Sequence, residues 1–473
     1  MATRSETELA FLSIEQAAGL LRRREISPME LVDASLAQIE RWNPAVNAFL
    51  TVLADSASRQ ARVAERELRR GRWRGPLHGI PVSLKDNFST RGVRTTAGSK
   101  ILGDFVPDED SDVAAKLSRA GAILLGKTNM HEFAYGITSE NPHYGPVHNP
   151  WARDRISGGS SGGSVAGVAT GMSFASVGTD TGGSIRIPSA LCGIVGLKPT
   201  FGLVNVESSV PLAASFDHAG PIARSVADAC IMLEAIAGKY PKGETRPDHR
   251  KLRRNRPRRF RLGWPKEFFF ERLDGEVRRL VEAAGKLLES SLGARIQESS
   301  LPRLAGAIEM ATNAIVGEAS CYHETQGYYP ALADRYGDDV RGHLRFGHDL
   351  RAVDYLRGVA KRREIEEDFA AAFEHVDFIL APTSPIPAPP IGATEVRVAG
   401  ERETTVRAEL LRLTRPANFT GQPAISIPCG FTREGLPVGL QLIAPKWAEA
   451  RLLSIALAYE EATDWHNRRP SLD

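Results

Sequence analysis

Two serine–glycine clusters lie in the middle of the chain, Ser157-Gly158-Gly159-Ser160-Ser161-Gly162-Gly163-Ser164 and Gly178-Thr179-Asp180-Thr181-Gly182-Gly183-Ser184-Ile185-Arg186. Flexible Gly/Ser linkers are long, repetitive and polar, whereas the residues between these clusters, Val165 to Val177, are small and apolar like a buried helix. Glycine loops flanking buried chain must be wanted for their backbone geometry, and a fold that accommodates them needs a core around them. The 473 residues, 42% of them hydrophobic, supply enough apolar surface for that core.

Around the clusters, short apolar runs alternate with helical patterns. Ile80-Pro81-Val82-Ser83-Leu84, Ala122-Ile123-Leu124-Leu125 and Ile194-Val195-Gly196-Leu197 read as strands, with helices over Ser111–Arg119 and Ser225–Ala237 between and after them. This order predicts an α/β fold, a central mixed β-sheet flanked by helices. Residues 1–78 read as an N-terminal helical segment. Ser13-Ile14-Glu15-Gln16 and Ser27-Pro28-Met29-Glu30 have capping-box form, and a third helix is expected from about Asp55 to Arg70.

Residues 79–240, which hold both clusters, read as the first part of the α/β core. Between 241 and 375 strand signals fade and long amphipathic segments appear, Asp274–Ser290 and Ala352–Phe373, so a helical insertion is expected there. Strands return in 376–473 at Phe378–Ala381, Ala424–Ile427 and Val438–Leu442, before a last helix from about Glu449 to Thr463.

Charge excludes little by itself, since 60 Lys and Arg against 57 Asp and Glu leave +3. The basicity is local: residues 250–261 hold eight basic side chains in twelve, expected to be a solvated linker with a polyanion contact as the alternative. Four scattered cysteines with no Cys-x-x-Cys pair fit reduced thiols, Cys192 being a buried one. A polar, acidic start and the lack of a long apolar run point to a cytoplasmic protein with no membrane contact.

Three motif matches fail on context. Gly121–Thr128 fits the phosphate-loop spelling, but its gap is itself an apolar strand, which leaves no loop amides to cradle phosphate. Gly158–Gly162 fits the nucleophile elbow, which needs an apolar strand running into it, whereas Trp151–Ser157 is polar and expected to be a loop. The histidines lack metal-ligand spacing, so no metal is expected.

An acyl-transfer site explains the clusters better. Successive N–H groups of a glycine-rich turn can converge on the oxygen of a tetrahedral intermediate, so Thr181, Gly182 and Gly183 are candidates for an oxyanion hole that presents Ser184 as nucleophile. Serine needs a base, and a lysine serves if burial frees its amine of a proton. Lys85, closing the apolar run 80–84, is the candidate. Alternation along the strand turns Asp86 to the opposite face, so desolvation is expected to prevail at Lys85.

Gly-Ile-Pro-Val-Ser-Leu-Lys-Asp-Asn at 79–87, the cluster at 158–164 and Asp-Thr-Gly-Gly-Ser-Ile-Arg at 180–186 resemble the amidase signature family. Gly-Lys-Thr-Asn-Met at 126–130, Gly-Leu-Lys-Pro-Thr at 196–200 and the segment Pro416–Ser426 fit it too. The resemblance implies amide hydrolysis with Ser184 acylated, Ser160 as the bridging serine, Lys85 as ultimate base, and a cis peptide between Gly159 and Ser160. It implies no metal or organic cofactor. It also places Tyr135, Gly136, Ile137 and Thr138 beside Ser184, where Tyr135 and Ile137 would favour a moderately apolar acyl group. Asp180 and Arg186 are expected to clamp the loop as an ion pair, with Arg186 as a substrate-carboxylate anchor the alternative.

The expected partner is a small-molecule amide, with a homodimer possible. A rival within the family is the glutaminase component of a tRNA-dependent amidotransferase, which would bring tRNA and partner subunits. For that component the resemblance implies a glutamine soon after Ser-Ile-Arg and an acidic residue shortly before Pro-Ala-Asn, where this chain has Ile187 and Leu410–Arg415. A catalytically inactive binding protein on the same fold is the remaining alternative.

Overall fold

A computed structural model describes residues 4–400 and 403–471. The N-terminal segment is helical because each helix is locally capped. Ser5, Ser13 and Ser27 each accept a bond from the N3 amide, and Glu8, Gln16 and Glu30 reach back, closing capping boxes on α1 (Glu6–Ala10), α2 (Ile14–Arg23) and α3 (Pro28–Val46). Helix α4 (Ala54–Arg69) follows a short strand β1 (Phe49–Val52) that periodicity does not reveal.

Strand β2 (Pro81–Lys85) is buried at every residue. Helix α5 (Asp112–Ala120) ends at Gly121, in the left-handed conformation, and leads into β3 (Ile123–Thr128), so the phosphate-loop gap is indeed a strand. Lys127 on it is buried against Asp86 and donates to the Phe88 carbonyl at 2.7 Å. The small apolar stretch 165–177 divides into helix α6 (Gly162–Ala169) and the start of strand β4 (Ala175–Asp180). Then come α7 (Arg186–Cys192), β5 (Val195–Lys198), β6 (His218–Ala223) and α8 (Val226–Ile236), the last capped by Ser225.

The segment 241–375 is not helical throughout. It contains β7 (Phe260–Pro265), α9 (Gly275–Leu292), β8 (Ala294–Ser299) and the helices α10 (Leu304–Thr325), α11 (Asp338–His348) and α12 (Ala352–His375). Both strands join the main sheet, which corrects the expectation of a helical insertion. The physical reason is local: β8, at the sheet's edge, reads Ala-Arg-Ile-Gln-Glu-Ser and is buried only at its two ends, so it carries no apolar run, and β7 beside it is hidden in the sequence by the arginines before it. Those arginines are largely exposed; Arg253 reaches Glu461 at 2.5 Å and Arg261 reaches Asp377 at 3.3 Å.

The chain finishes with β9 (Phe378–Pro382), α13 (Val406–Arg412), α14 (Arg415–Thr420), β10 (Ala424–Phe431), β11 (Pro437–Ile443) and α15 (Glu449–Glu461). Eleven strands form one sheet in the order β1-β3-β2-β4-β6-β5-β10-β11-β9-β7-β8. The pairs β3/β2, β2/β4, β9/β7 and β7/β8 are parallel, and the run from β4 to β9 between them is antiparallel, so the sheet is mixed. Strands from the C-terminal part thus pair directly with β5 at the centre, and one continuous core runs from Leu9 to Tyr459. No helix among the described residues is long and apolar enough to cross a membrane.

Candidate active site

Strand β2 lies parallel beside β4, with Leu84 opposite Val177, and this register carries Lys85 to the end of β4 where the second glycine cluster begins. The Lys85 ammonium nitrogen lies 2.7 Å from Ser160 Oγ and 2.7 Å from Thr179 Oγ1, and all three residues are buried. Burial pushes the Lys85 pKa from 10.5 down to about 7, against the opposing pull of the Asp217 and Asp180 carboxylates. Asp86 faces the other way, bonded to Thr96 and paired with Lys127 at 3.3 Å.

Ser160 follows a cis peptide bond from Gly159 and stands just before α6. The two clusters are joined through backbone: the Ser161 amide donates to the Ser184 carbonyl at 3.3 Å, and Ser161 Oγ donates to the Thr179 carbonyl at 3.2 Å. Gly178 permits this approach, because a Cβ there would stand 2.8 Å from Ser161 Oγ, and Gly163 lets α6 close on neighbouring chain, because a Cβ there would stand 2.4 Å from both the Ala48 and Asn129 carbonyl oxygens. The residues before Ser157 form a short strand, Ala152–Ile156, rather than the expected loop, but it lies outside the main sheet, pairing with His148–Asn149 and bridging to Pro390 through Arg155. Ser160 is therefore not presented by an elbow at the top of the central sheet.

The loop Thr181–Ser184 turns from β4 into α7, and Gly183 adopts φ +139°, a region that favours glycine. Among the described residues, the backbone N–H groups of Thr181, Gly182, Gly183 and Ser184 have no hydrogen-bond acceptor within the chain. The loop itself is held hard. Thr181 Oγ1 donates to Asp217 at 2.5 Å, Thr414 Oγ1 donates to the Gly182 carbonyl at 2.6 Å, and Asn418 donates to Asp180. Asp217 is pushed up to about 6 by burial, partly offset by the bond from Thr181.

Asp180 and Arg186 form a fully buried pair at 2.9 Å. All the guanidinium donors are engaged: Nε and Nη2 on Asp180, Nη2 also on Asn418, and Nη1 on the Thr414 carbonyl and Gln441. That arrangement is the clamp, and it leaves Arg186 no donor for a substrate carboxylate. Charge pairing with Arg186 holds Asp180 below the usual carboxylate range despite burial.

Tyr135, Gly136 and Ile137 line a narrow pocket with Thr181, Gly182 and Ser184; Thr138 is not brought to it and instead accepts a bond from the Glu140 amide at 3.3 Å. Sequence reasoning missed Thr179, Asp217, Thr414 and Gln441, which act through the backbone or through other side chains and carry no motif of their own, and it missed two arginines of the pocket, Arg407 and Arg415. Cys192 is buried, its thiol pushed up by desolvation. His218 is a buried histidine whose Nδ1 lies 2.6 Å from the Phe216 carbonyl oxygen. The His/carboxylate group Glu234, Asp248 and His249 lies elsewhere, its members paired with one another and with Arg250.

A lysine of lowered pKa on one serine hydroxyl, with a second serine in a loop of unpaired amides, is equipment that an amide-cleaving hydrolase needs. The chain belongs to the amidase family, whose family model matches residues 30–453, and is an enzyme that cleaves amide carbon–nitrogen bonds. It is 39% identical to the A-type component of the glutamyl-tRNA(Gln) amidotransferase of Moorella thermoacetica over 98% of this chain and 99% of that one. Among solved structures it superposes on an amidase with TM-score 0.86 at 36% identity, covering 95% of this chain and 99% of that one. It superposes on the peptide amidase of Stenotrophomonas maltophilia with TM-score 0.85 at 30% identity, covering 98% and 99%.

Proposed function

We propose that the protein hydrolyses a carboxylic amide through an acyl-enzyme on Ser184, with Lys85 and Ser160 moving the proton. The observation that carries this reading is the 2.7 Å contact between a buried lysine amine and Ser160, whose neighbour Ser161 is bonded through its amide to Ser184. The neutral amine accepts the Ser160 proton while still donating to Thr179. Ser160 takes the proton of Ser184 as Ser184 Oγ bonds to the substrate carbonyl carbon, and the oxygen, now negative, is met by the amides of Thr181, Gly182 and Gly183. The proton returns through Ser160 to the departing nitrogen, the C–N bond breaks, and ammonia or an amine leaves. Water then attacks the ester and releases the acid.

Ser184→Ala is expected to abolish ammonia release from every amide the wild type cleaves, without unfolding. Mass spectrometry after fluorophosphonate treatment should find one adduct, on Ser184; an adduct on Ser160 instead would overturn the assignment. The full-length likeness to glutamyl-tRNA(Gln) amidotransferase components supports a second reading, in which the ammonia feeds a partner protein. Glutaminase activity appearing only when partner subunits are added would establish it in place of free-standing hydrolysis.

A further inference from the structure

The pocket next to Ser184 holds two arginines that no carboxylate pairs with directly, Asp339 attracting Arg407 only from beyond ion-pair distance. Arg407, on α13, and Arg415, at the start of α14, are both half-buried and both line it. Arg407 donates one bond, to the Tyr135 carbonyl at 3.2 Å, and stacks 5.6 Å from the Tyr135 ring. Arg415 donates one bond, to Thr312 Oγ1 at 3.0 Å, and its buried Nε has no partner, nor has the buried Tyr135 hydroxyl. Neither arginine forms a salt bridge among the described residues. The carboxylates nearby are committed: Asp339 to His131 at 2.7 Å, Glu132 to Ser99 and His143, Asp217 to Thr181, Asp180 to Arg186.

Such a cluster is costly without an anion, because guanidinium donors left without an acceptor give up water for less than they lose. His343, whose ring is 5.0 Å from that of Tyr135, adds no charge, since burial and the two arginines push it down to about 3. Placement says which part of a substrate the arginines would meet. A Cβ at Gly182 would lie 3.4 Å from Arg415 Cγ and 3.6 Å from its Nε, so this side chain borders the oxyanion loop itself. Neither Lys85 nor Ser160 lines the pocket. The leaving nitrogen must face Ser160 to receive its proton, so the pocket takes the acyl side.

Resting on the hydrolase reading above, we propose that the substrate is the amide of a short dicarboxylic acid, its free carboxylate held by Arg407 and Arg415. Guanidinium and carboxylate match in geometry, and each charge-assisted bond favours the anionic amide over a neutral one. The pocket offers no carboxylate to an ammonium group, so a free α-amino group beside the acid, as in glutamine, is disfavoured. Bond changes are those already described, and the product is a dicarboxylate plus ammonia or an amine.

Binding to the Ser184→Ala protein tests this independently of turnover, with succinamate, glutaramate, glutamine and uncharged butyramide compared by calorimetry. Succinamate or glutaramate should bind about tenfold or more tighter than butyramide and tighter than glutamine, and Arg407→Gln or Arg415→Gln should each remove most of that preference. Wild-type kcat/KM should follow the same order. Equal binding of charged and neutral amides, a preference that survives both arginine replacements, or glutamine binding as well as glutaramate would overturn the proposal. If fluorophosphonate labels Ser184 while the charged amides show no advantage, the hydrolase reading stands and this one falls. If the anion preference holds but Ser184 is never labelled, the hydrolase reading is what fails.

Discussion

Lys85 changes charge near neutrality, because burial holds its amine at about 7 rather than 10.5. Only the neutral amine can accept the Ser160 proton, so kcat/KM should rise with pH through about 7 and level off above it; replacing His218 should leave that profile in place. Lys85→Ala should lower amide hydrolysis by about 10²–10⁴-fold and ester hydrolysis less, since an alcohol leaves with less protonation than an amine. Equal losses on matched amides and esters would count against the proton relay. The same residue makes a stability statement. Between about pH 7 and 10.5 the unfolded chain binds a proton at Lys85 that the folded one does not, so wild-type stability relative to Lys85→Met should increase with pH across that window, read as the denaturant midpoint. Arg186→Met leaves Asp180 buried and without its cation, and should cost about 3–5 kcal/mol of folding stability by the same measurement.

Among the elements, α6 shows how tightly the site is packed. Gly163→Ala would drive a methyl group into the Ala48 and Asn129 carbonyls, where β1 begins and β3 ends, so it should lower the melting temperature and displace Ser160 three residues upstream. Retained activity with unchanged melting would contradict this packing. Elements whose own residues decide their conformation were legible in the sequence: the capped helices α2, α3, α5 and α8, the apolar strands β2 and β3, and the glycine loops around Ser160 and Ser184. Strands stabilised by neighbours were not. β6 reads His-Ala-Gly-Pro-Ile-Ala yet is buried throughout between β4 and β5, and β8 is a solvated edge that only its pairing with β7 makes a strand. Site residues followed the same rule. Lys85 and Ser184 announce themselves by context, whereas Thr179, Asp217 and the two pocket arginines acquire meaning only when distant loops meet. Arg415 directly precedes a recognised Pro-Ala-Asn segment, but nothing local says that its side chain borders Gly182.

In the whole molecule, sheet order departs from chain order, and β10 and β11 lie between β5 and β9. The N-terminal half therefore has an open apolar strand edge at β5 until the C-terminal half arrives. A fragment spanning 1–240 should aggregate or remain unlabelled by fluorophosphonate, and co-expression with the complementary fragment should restore labelling; a soluble, reactive 1–240 fragment would refute this. Long-range pairing of this kind also folds slowly. The Arg186 clamp adds timing to that topology. Its outer contacts, Thr414, Asn418 and Gln441, lie 228, 232 and 255 residues further along the chain. On the ribosome Ser184 is made long before the partners that fix its loop, so a nascent chain carries the serine without its rigid turn, and the proposed acylation at Ser184 has to await synthesis past Gln441.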